Sequence, residues 1–542
     1  MGKPKRKKFV KLHHSNLSQY KLSSEQTNQS SVSLKYYFND SSFWIAHWQI
    51  LGQPWRTEPE IDSERQAYLA KCCATTPDIV QGIYPFKNVK LSRADIEWLL
   101  VTYGNESINR SNEHQLKCKG LDLRGADLRQ VDLSCLPLAR LRGGLTGEET
   151  GSVTIEQREA ASVHLEKAKL CQAHLEEAYL WDAHLEDANM REVHLEKADL
   201  YLAHLEQAHL FKAHLEGADL SRAHLEGASL SEAHLEGVHL SEAHLEGVSL
   251  SGAHLEGAYL FEAHLEGAYL SDAHLEGAHL FEAHLDRGRM SGAHLEGKLM
   301  PIDDLRRVRK WVKNFPSSLP PADLRRAFFD AATYLGNAIL GEEKFGFISL
   351  ADIHWGDTDL SVVNWSMMKM LGDERFARRA KIGSKVKDTD EQLKEHLAAV
   401  RANRQLATAL QSQGLNEEAA RFAYRAQRLQ RIVLWQQSKF GQYLFSLFLD
   451  LLSGFGYKPV RSFLAYLIVI SLFMAAYHIL NPHLMWNEAL VISMTAFHGR
   501  GFFPGTFSPG DPLALASAVE AFIGLIIEVT FIATLTQRLF GK

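Results

Sequence analysis

Cysteine is scarce in this chain. Five stand among 542 residues, as Cys72, Cys73, Cys118, Cys135 and Cys171. They form no CxxC pair and no zinc spacing, and the odd, unpaired set fits a reducing compartment. Catalytic signatures are lacking too. No nucleophile–base pair, phosphate loop or metal-ligand spacing can be read. The chain is therefore expected not to be an enzyme, and no catalytic residue, metal or cofactor is assigned. Six Lys/Arg fall within the first eleven residues, but no apolar stretch follows them, so no secretory signal is read. The net charge of −6 is small, yet charge is segregated. Residues 163–300 hold 25 Asp/Glu against 9 Lys/Arg, leaving that stretch at −16.

That same stretch repeats a decapeptide, close to Ala-His-Leu-Glu-Gly-Ala-x-Leu-x-x, fourteen times without a gap. Leu165, Leu170, Leu175, Leu180 and Leu185 open a column that recurs every fifth residue to Leu295, broken only by Met190, Met290 and Met300. Two places before each Leu stands a small residue, as in Ala173, Ala178 and Ala183. A period of five fits neither a helix face nor a flat strand. A repeat of this kind means a solenoid, each unit burying its apolar side against the next.

The unit stands intact at Ala198-Asp199-Leu200 and Ala218-Asp219-Leu220. On these residues the stretch resembles the pentapeptide-repeat family, whose unit is A(D/N)LXX. The resemblance implies a right-handed quadrilateral β-helix with four pentads to a coil, Leu inside and the small residue at the corner beside it. Seven coils at about 4.8 Å each would make a rod about 34 Å long. The period of ten then stacks His164, His184 and His204 on one side and His174, His194 and His214 on the opposite side. Each has an acid two residues on. The rod holds 17 His, so protonation through about pH 6.5 would carry it from −16 to about +1. A flat stripe lacks the shaped cage of a zinc site, and these positions are read first as solvated ladders.

The chain is expected to be multidomain. Residues 1–34 read as a disordered basic tail. Residues 35–115 read as a cap domain, with helices from Ile61 and from Ser92. The solenoid is placed at 116–300, interrupted by a loop at 142–162. Residues 301–389 read as a linker with a degenerate coil near Ala351-Asp352-Ile353, and Ala322–Leu340 as a helix. Residues 390–457 read as a helical hairpin broken at Gly414, followed by an apolar interfacial helix.

Residues 458–542 carry the long apolar runs. Ser462–Leu480 is long enough to span a bilayer, and Leu513–Leu535 carries only Glu520 and Glu528. Lys458, Arg461, Arg538 and Lys542 flank the runs, which places both ends in the cytoplasm of a multi-pass cell-membrane protein. Between them lies the short run Ala489–Phe497. This layout resembles the pore domain of potassium channels: two spans around a re-entrant pore helix, with Gly501-Phe502 at the filter and Gly524 at the inner-helix glycine. The resemblance implies a homotetramer that passes ions. Where that family has Thr-Val-Gly-Tyr-Gly, this chain reads Gly499-Arg500-Gly501-Phe502-Phe503, so altered selectivity is expected. Thr495, His498, Gly499, Arg500, Gly501 and Phe502 are the pore and filter candidates. Glu520, Gly524 and Glu528 share one helical stripe and are read as pore-lining or pairing residues.

The expected function is a channel-like membrane protein with a cytoplasmic repeat scaffold. Its partners would be the bilayer, ions and a protein on the rod, with no nucleic acid expected. One alternative is a membrane-tethered scaffold with a non-conducting pore. Another is a DNA-mimicking, topoisomerase-binding repeat protein.

Overall fold

The computed structural model describes residues 44–45, 48–49, 53, 56, 58–103, 120–149, 151, 153–342, 344, 346–379, 381–382, 385–499 and 512–540. The tail 1–34 and Cys118 lie outside them. A coil of the solenoid is twenty residues long. His164, Lys169, His174 and Tyr179 form parallel bridges to His184, Asn189, His194 and Asp199, one bridge on each of four sides. The bridges stay isolated because a turn follows every one of them. In each turn the amide of the small residue reaches back to the Leu carbonyl, as from Ala168 to Leu165 at 2.9 Å. The residue between sits at positive φ, for example Lys167 at 59° and Gln172 at 55°. Inside, the Leu and Ala columns are fully buried. One Leu and one Ala per side fill the interior, and a fully buried Leu is worth about 1.5–3 kcal/mol.

Both ends of the rod are covered. At the N-terminal end, α1 (Ser63–Cys73), expected from Ile61, is capped by Asp62, whose side chain accepts from the Arg65 amide, and α2 (Arg93–Tyr103) follows Ser92. Lys90 bridges Asp127 in parallel, so the segment between the two helices lies on the first coil. Glu97 is buried there and accepts from Arg56 and Arg93 at 2.7 and 2.8 Å. Residues 143–162 loop out, with a short helix α3 (Ile155–Glu159) opened by a Thr154–Gln157 capping box. The ladder closes beneath that loop, from Asp127 to His164.

The coils do not stop at Met300. Asp323, Phe328, Tyr334 and Ile339 bridge His279, His284, Arg289 and His294, and Ser349 and His354 bridge Asp323 and Phe328 in turn. The helix expected over 322–340 is therefore replaced by a further coil. The physical reason is that Ala322, Leu324, Ala327, Phe329, Leu335 and Leu340 resume the inward pattern and are buried. Covering the open end of a solenoid outweighs helix propensity.

Residues between Leu299 and Ala322 leave the stack and run back along its side as a strap. It contains α4 (Ile302–Trp311). Arg307 pairs with Glu216 and, at 2.5 Å, with Glu236. Lys298 pairs with Glu256 at 2.6 Å and Glu276 at 3.1 Å. Val312, Phe315 and Leu319 lie against the bare Gly217, Gly237, Gly257 and Gly277.

The C-terminal end is closed by helices. α5 (Gly372–Arg378) places the buried Asp373 carboxylate on the amides of Leu350 and Ala351, at 2.7 and 3.2 Å. α6 (Thr389–Ser412) and α7 (Asn416–Gln436) form the hairpin, turning at Gly414 with φ 78°. Arg401 grips Asp352 with two hydrogen bonds, at 2.8 and 2.9 Å, and Leu406, Leu410 and Phe422 join the core of the last coil. Then come α8 (Phe440–Ser453), α9 (Pro459–Leu480), α10 (Trp486–Phe497) and α11 (Pro512–Phe540). Pro459–Leu480 and Pro512–Ala533 are long and apolar enough to cross a membrane.

Replacing Arg307 by Ala should leave two buried carboxylates without their cation and undock the strap, at a local cost of about 3 kcal/mol. Limited trypsin digestion of the full chain checks this. Cleavage at Arg306, Arg309, Lys310 or Lys313 should quicken at least tenfold in R307A, and equal rates would refute the clamp.

Candidate functional site

The solenoid turns the decapeptide into ladders. On the side starting at His164 the imidazoles stack at 4.8–5.2 Å with nearly parallel rings through His284, then continue to Phe328 and His354 at 4.5–4.6 Å. The side starting at His174 stacks likewise through His294. From His164 to His274 and again at His294, Nδ1 faces the glutamate two residues on, at 3.2 Å for His164–Glu166 and 2.9 Å for His174–Glu176. That contact orients the ring and leaves Nε2 outward. Triads such as His164, Glu166 and His184 have their donor atoms within 4.8 Å of one another. Two nitrogens sharing a tetrahedral zinc stand only about 3.4 Å apart. Donors spread to the full 4.8 Å would have to close by more than an ångström to share one ion. Beside the first His side runs a groove of about 710 Å³ lined by Arg222, His224, Glu242, His244 and Glu262 among others.

Electrostatics differ along the rod. Burial alone would lower His214, but the Glu216 hydrogen bond and charge outweigh it and raise the group above its ordinary value. The Glu256 hydrogen bond likewise raises His254. Burial works to raise Glu216, yet the His214 hydrogen bond and the Arg307 charge hold it low. Asp199 is raised by burial to about 6, and Asp373 by burial to about 7. His279 is lowered by burial. Raised histidines add stability below their unfolded value and lose it as pH climbs through the folded one. Raised carboxylates regain stability as pH falls through the folded value, and lowered ones lose it only below the ordinary carboxylate range. Among the described residues, His279 opposes these. Thermal unfolding of the full chain should therefore shift up by on the order of a few degrees from pH 8 to pH 6, then fall below about pH 4.5. A monotonic fall from pH 8 downward would contradict this balance.

The C-terminal module has its own polar cluster. Glu520, on α11, is fully buried. Tyr477 of α9 donates to it at 2.7 Å, and Ser493 of α10 donates to its other oxygen. Ser493 also donates to the Ile470 carbonyl at 3.1 Å. One turn along, Gly524 touches α10 so closely that a Cβ there would lie 2.1 Å from the Phe497 carbonyl oxygen. A turn further, Glu528 pairs with His498. The stripe of Glu520, Gly524 and Glu528 thus packs against α10 within one chain. Thr495 hydroxyl donates to the Val491 and Ile492 carbonyls at 2.9 and 3.0 Å. Gly499 turns the chain at φ 67° after α10. Arg500, Gly501 and Phe502 lie outside the described residues.

A second junction joins this module to the rod. Asp450 of α8 accepts from Tyr424 and Arg431 of α7 and from Arg461 of α9, at 2.8, 2.8 and 2.9 Å. Burial favours its neutral form, but these hydrogen bonds and the two guanidinium charges hold it ionised. Sequence reasoning missed Asp450, Tyr477, Ser493 and the strap cations. A lone Asp inside the apolar run 445–455, with Arg461 eleven residues on, was the available signal for the first.

Changing Gly524 to Ala should cost the module about 1–3 kcal/mol. Gly441, with open space around its α position, is the control, because Ala there should be neutral or stabilising. Thermal stability in detergent separates the two, and equal behaviour would refute the close approach.

Among protein-family models, pentapeptide repeats match residues 164–201, 188–227, 218–257, 228–265 and 258–297. Among solved structures the chain is similar to HetL, a pentapeptide repeat protein involved in heterocyst differentiation regulation from the cyanobacterium Nostoc sp. strain PCC 7120. The identity is 23%, covering 42% of this chain and 86% of that one, with a TM-score of 0.21. It is similar to alr5209, a pentapeptide repeat protein from Nostoc PCC 7120, at 35% identity over 16% of this chain and 69% of that one, with a TM-score of 0.15. It is also similar to QnrB1, a plasmid-mediated fluoroquinolone resistance protein, at 13% identity over 41% and 90%, with a TM-score of 0.23. No curated protein matches the chain.

Proposed function

We propose that this chain, which belongs to the pentapeptide-repeat proteins through residues 164–297, is a membrane-anchored scaffold that holds its rod against one bilayer face. The observation that carries this reading is the outer surface of α9 and α11. Phe463, Leu464, Ile468 and Leu472 on one, and Phe522, Leu525, Val529 and Ile532 on the other, are exposed. So much contiguous apolar surface calls for lipid or a partner. Asp450 ties that module to the helices that close the rod, joining the anchor to the scaffold. The rod itself is read as the right-handed quadrilateral β-helix of its family, a reading supported by four parallel bridges per twenty residues. Carbonate extraction of membranes tests the anchor. The full chain should stay in the pellet and residues 1–457 alone should wash off, whereas release of the full chain would sink the proposal.

A second reading, ion conduction with altered selectivity, draws on the order of long helix, short helix, long helix from α9 to α11, the order of the potassium-channel pore unit. It requires four copies around an axis. Planar-bilayer recording together with the mass of the detergent-solubilised particle decides it. A monomer without conductance in any salt would leave the scaffold alone.

A further inference from the structure

The strap exposes a symmetry in the rod. A coil is twenty residues and the repeat is ten, so from Glu216 to Gly277 the same Glu-Gly corner recurs twice per coil, on opposite edges. One edge carries Glu216-Gly217, Glu236-Gly237, Glu256-Gly257 and Glu276-Gly277, and the strap fills it. The other carries Glu226-Gly227, Glu246-Gly247 and Glu266-Gly267, with Glu206 above them. On the strapped edge the four Glu side chains are 1–2% exposed, whereas on the open edge they are 34–38% exposed. Among the described residues, only the neighbouring His pairs with the open-edge carboxylates.

The glycines carry the argument further. On the strapped edge Val312, Phe315 and Leu319 come within 2.8–3.2 Å of where a Cβ would sit on Gly217, Gly257 and Gly277. On the open edge a Cβ at Gly247 or Gly267 would meet nothing within 4 Å. Backbone geometry does not demand glycine there. Lys167, Asp187 and Gln207 hold the same corner position on that edge at φ 56–59°. At Gly247 and Gly267 the open edge thus keeps the bare floor of a strap site without a strap, its carboxylates meeting only His among the described residues, whereas at Gly227 the Gln207 side chain already fills the corner.

We propose that the open edge, Glu206 to Gly267, is a docking groove for a basic, apolar segment of a partner protein, with the chemistry of the chain's own strap. This rests on the scaffold reading. The occupant is specified by what Arg307 and Lys298 do opposite. Two cations each bridge two successive carboxylates and stand two coils, about 10 Å, apart, and large aliphatic or aromatic side chains lie on the glycines between them. A carboxylate ladder spaced at one coil selects such a segment over a neutral or acidic one, by charge and by register.

The test uses the full chain in detergent and a fluorescent peptide of residues 298–321 as the probe, read by anisotropy. The expected result is saturable one-to-one binding that weakens at high salt. Substituting Glu226, Glu246 and Glu266 together by Gln should weaken it at least tenfold. Gly247→Gln with Gly267→Gln should do the same, and Gln207 shows that this side chain fits the corner. No binding to the intact chain, or variants that bind as tightly as the intact chain, overturns the proposal. So does accelerated trypsin cleavage at Arg306–Lys313 on adding peptide, which would mean the probe has displaced the strap. Binding that emerges only after residues 1–34 are deleted also overturns it, because the chain's own basic tail would then be the occupant. Each of these results is independent of carbonate extraction, so a failed groove and a failed anchor are distinguishable.

Discussion

Everything in this molecule hangs on the closure of a twenty-residue coil over one Leu and one Ala per side. The backbone bridges its neighbours at single residues, so no coil is stable alone. Two consequences follow from that dependence. The rod needs a cover at each end, which the segment around α1 and α2 and the α6–α7 hairpin supply. It also continues as far as inward residues allow, which is why Leu324, Phe329 and Leu350 extend it beyond Met300. Anything attached to the rod attaches to a stiff body.

Charge is the second organising element. A stack of carboxylates about 4.8 Å apart repels itself, and the rod answers in two ways. Each Glu lies beside a His that can share or take a proton. On one edge Arg307 and Lys298 add full positive charges, spanning two rungs each. The two edges begin with the same sequence and end in different environments, so the strap creates an asymmetry that the repeat does not contain.

Much of this was legible in the residues. The five-residue Leu column named the solenoid, the helix break at Gly414 placed the hairpin, and two long apolar runs around a shorter one placed α9, α10 and α11. What escaped notice was long-range. Ala322–Leu340 has helical composition, and only its contact with the open last coil makes it a further turn of the stack. Pro301 reads as an ending, though it starts a detour whose partners lie up to 91 residues back, at Glu216. In the C-terminal module, Glu520, Gly524 and Glu528 were legible as one stripe. The residues that meet them were not, because Tyr477 and Ser493 look like ordinary members of apolar helices.

The strap bears on how the repeat finds its alignment. Fourteen near-identical decapeptides can pair one coil out of place with almost no loss of core contacts, since Leu would still meet Leu and Ala would still meet Ala. The detour lifts part of that degeneracy. Shifted one coil toward the N-terminus, Val312 would face the side chain of Lys197 instead of the bare Gly217. The strap is a vernier, a short non-repeating scale laid against a long repeating one, and it reads against slippage in that direction.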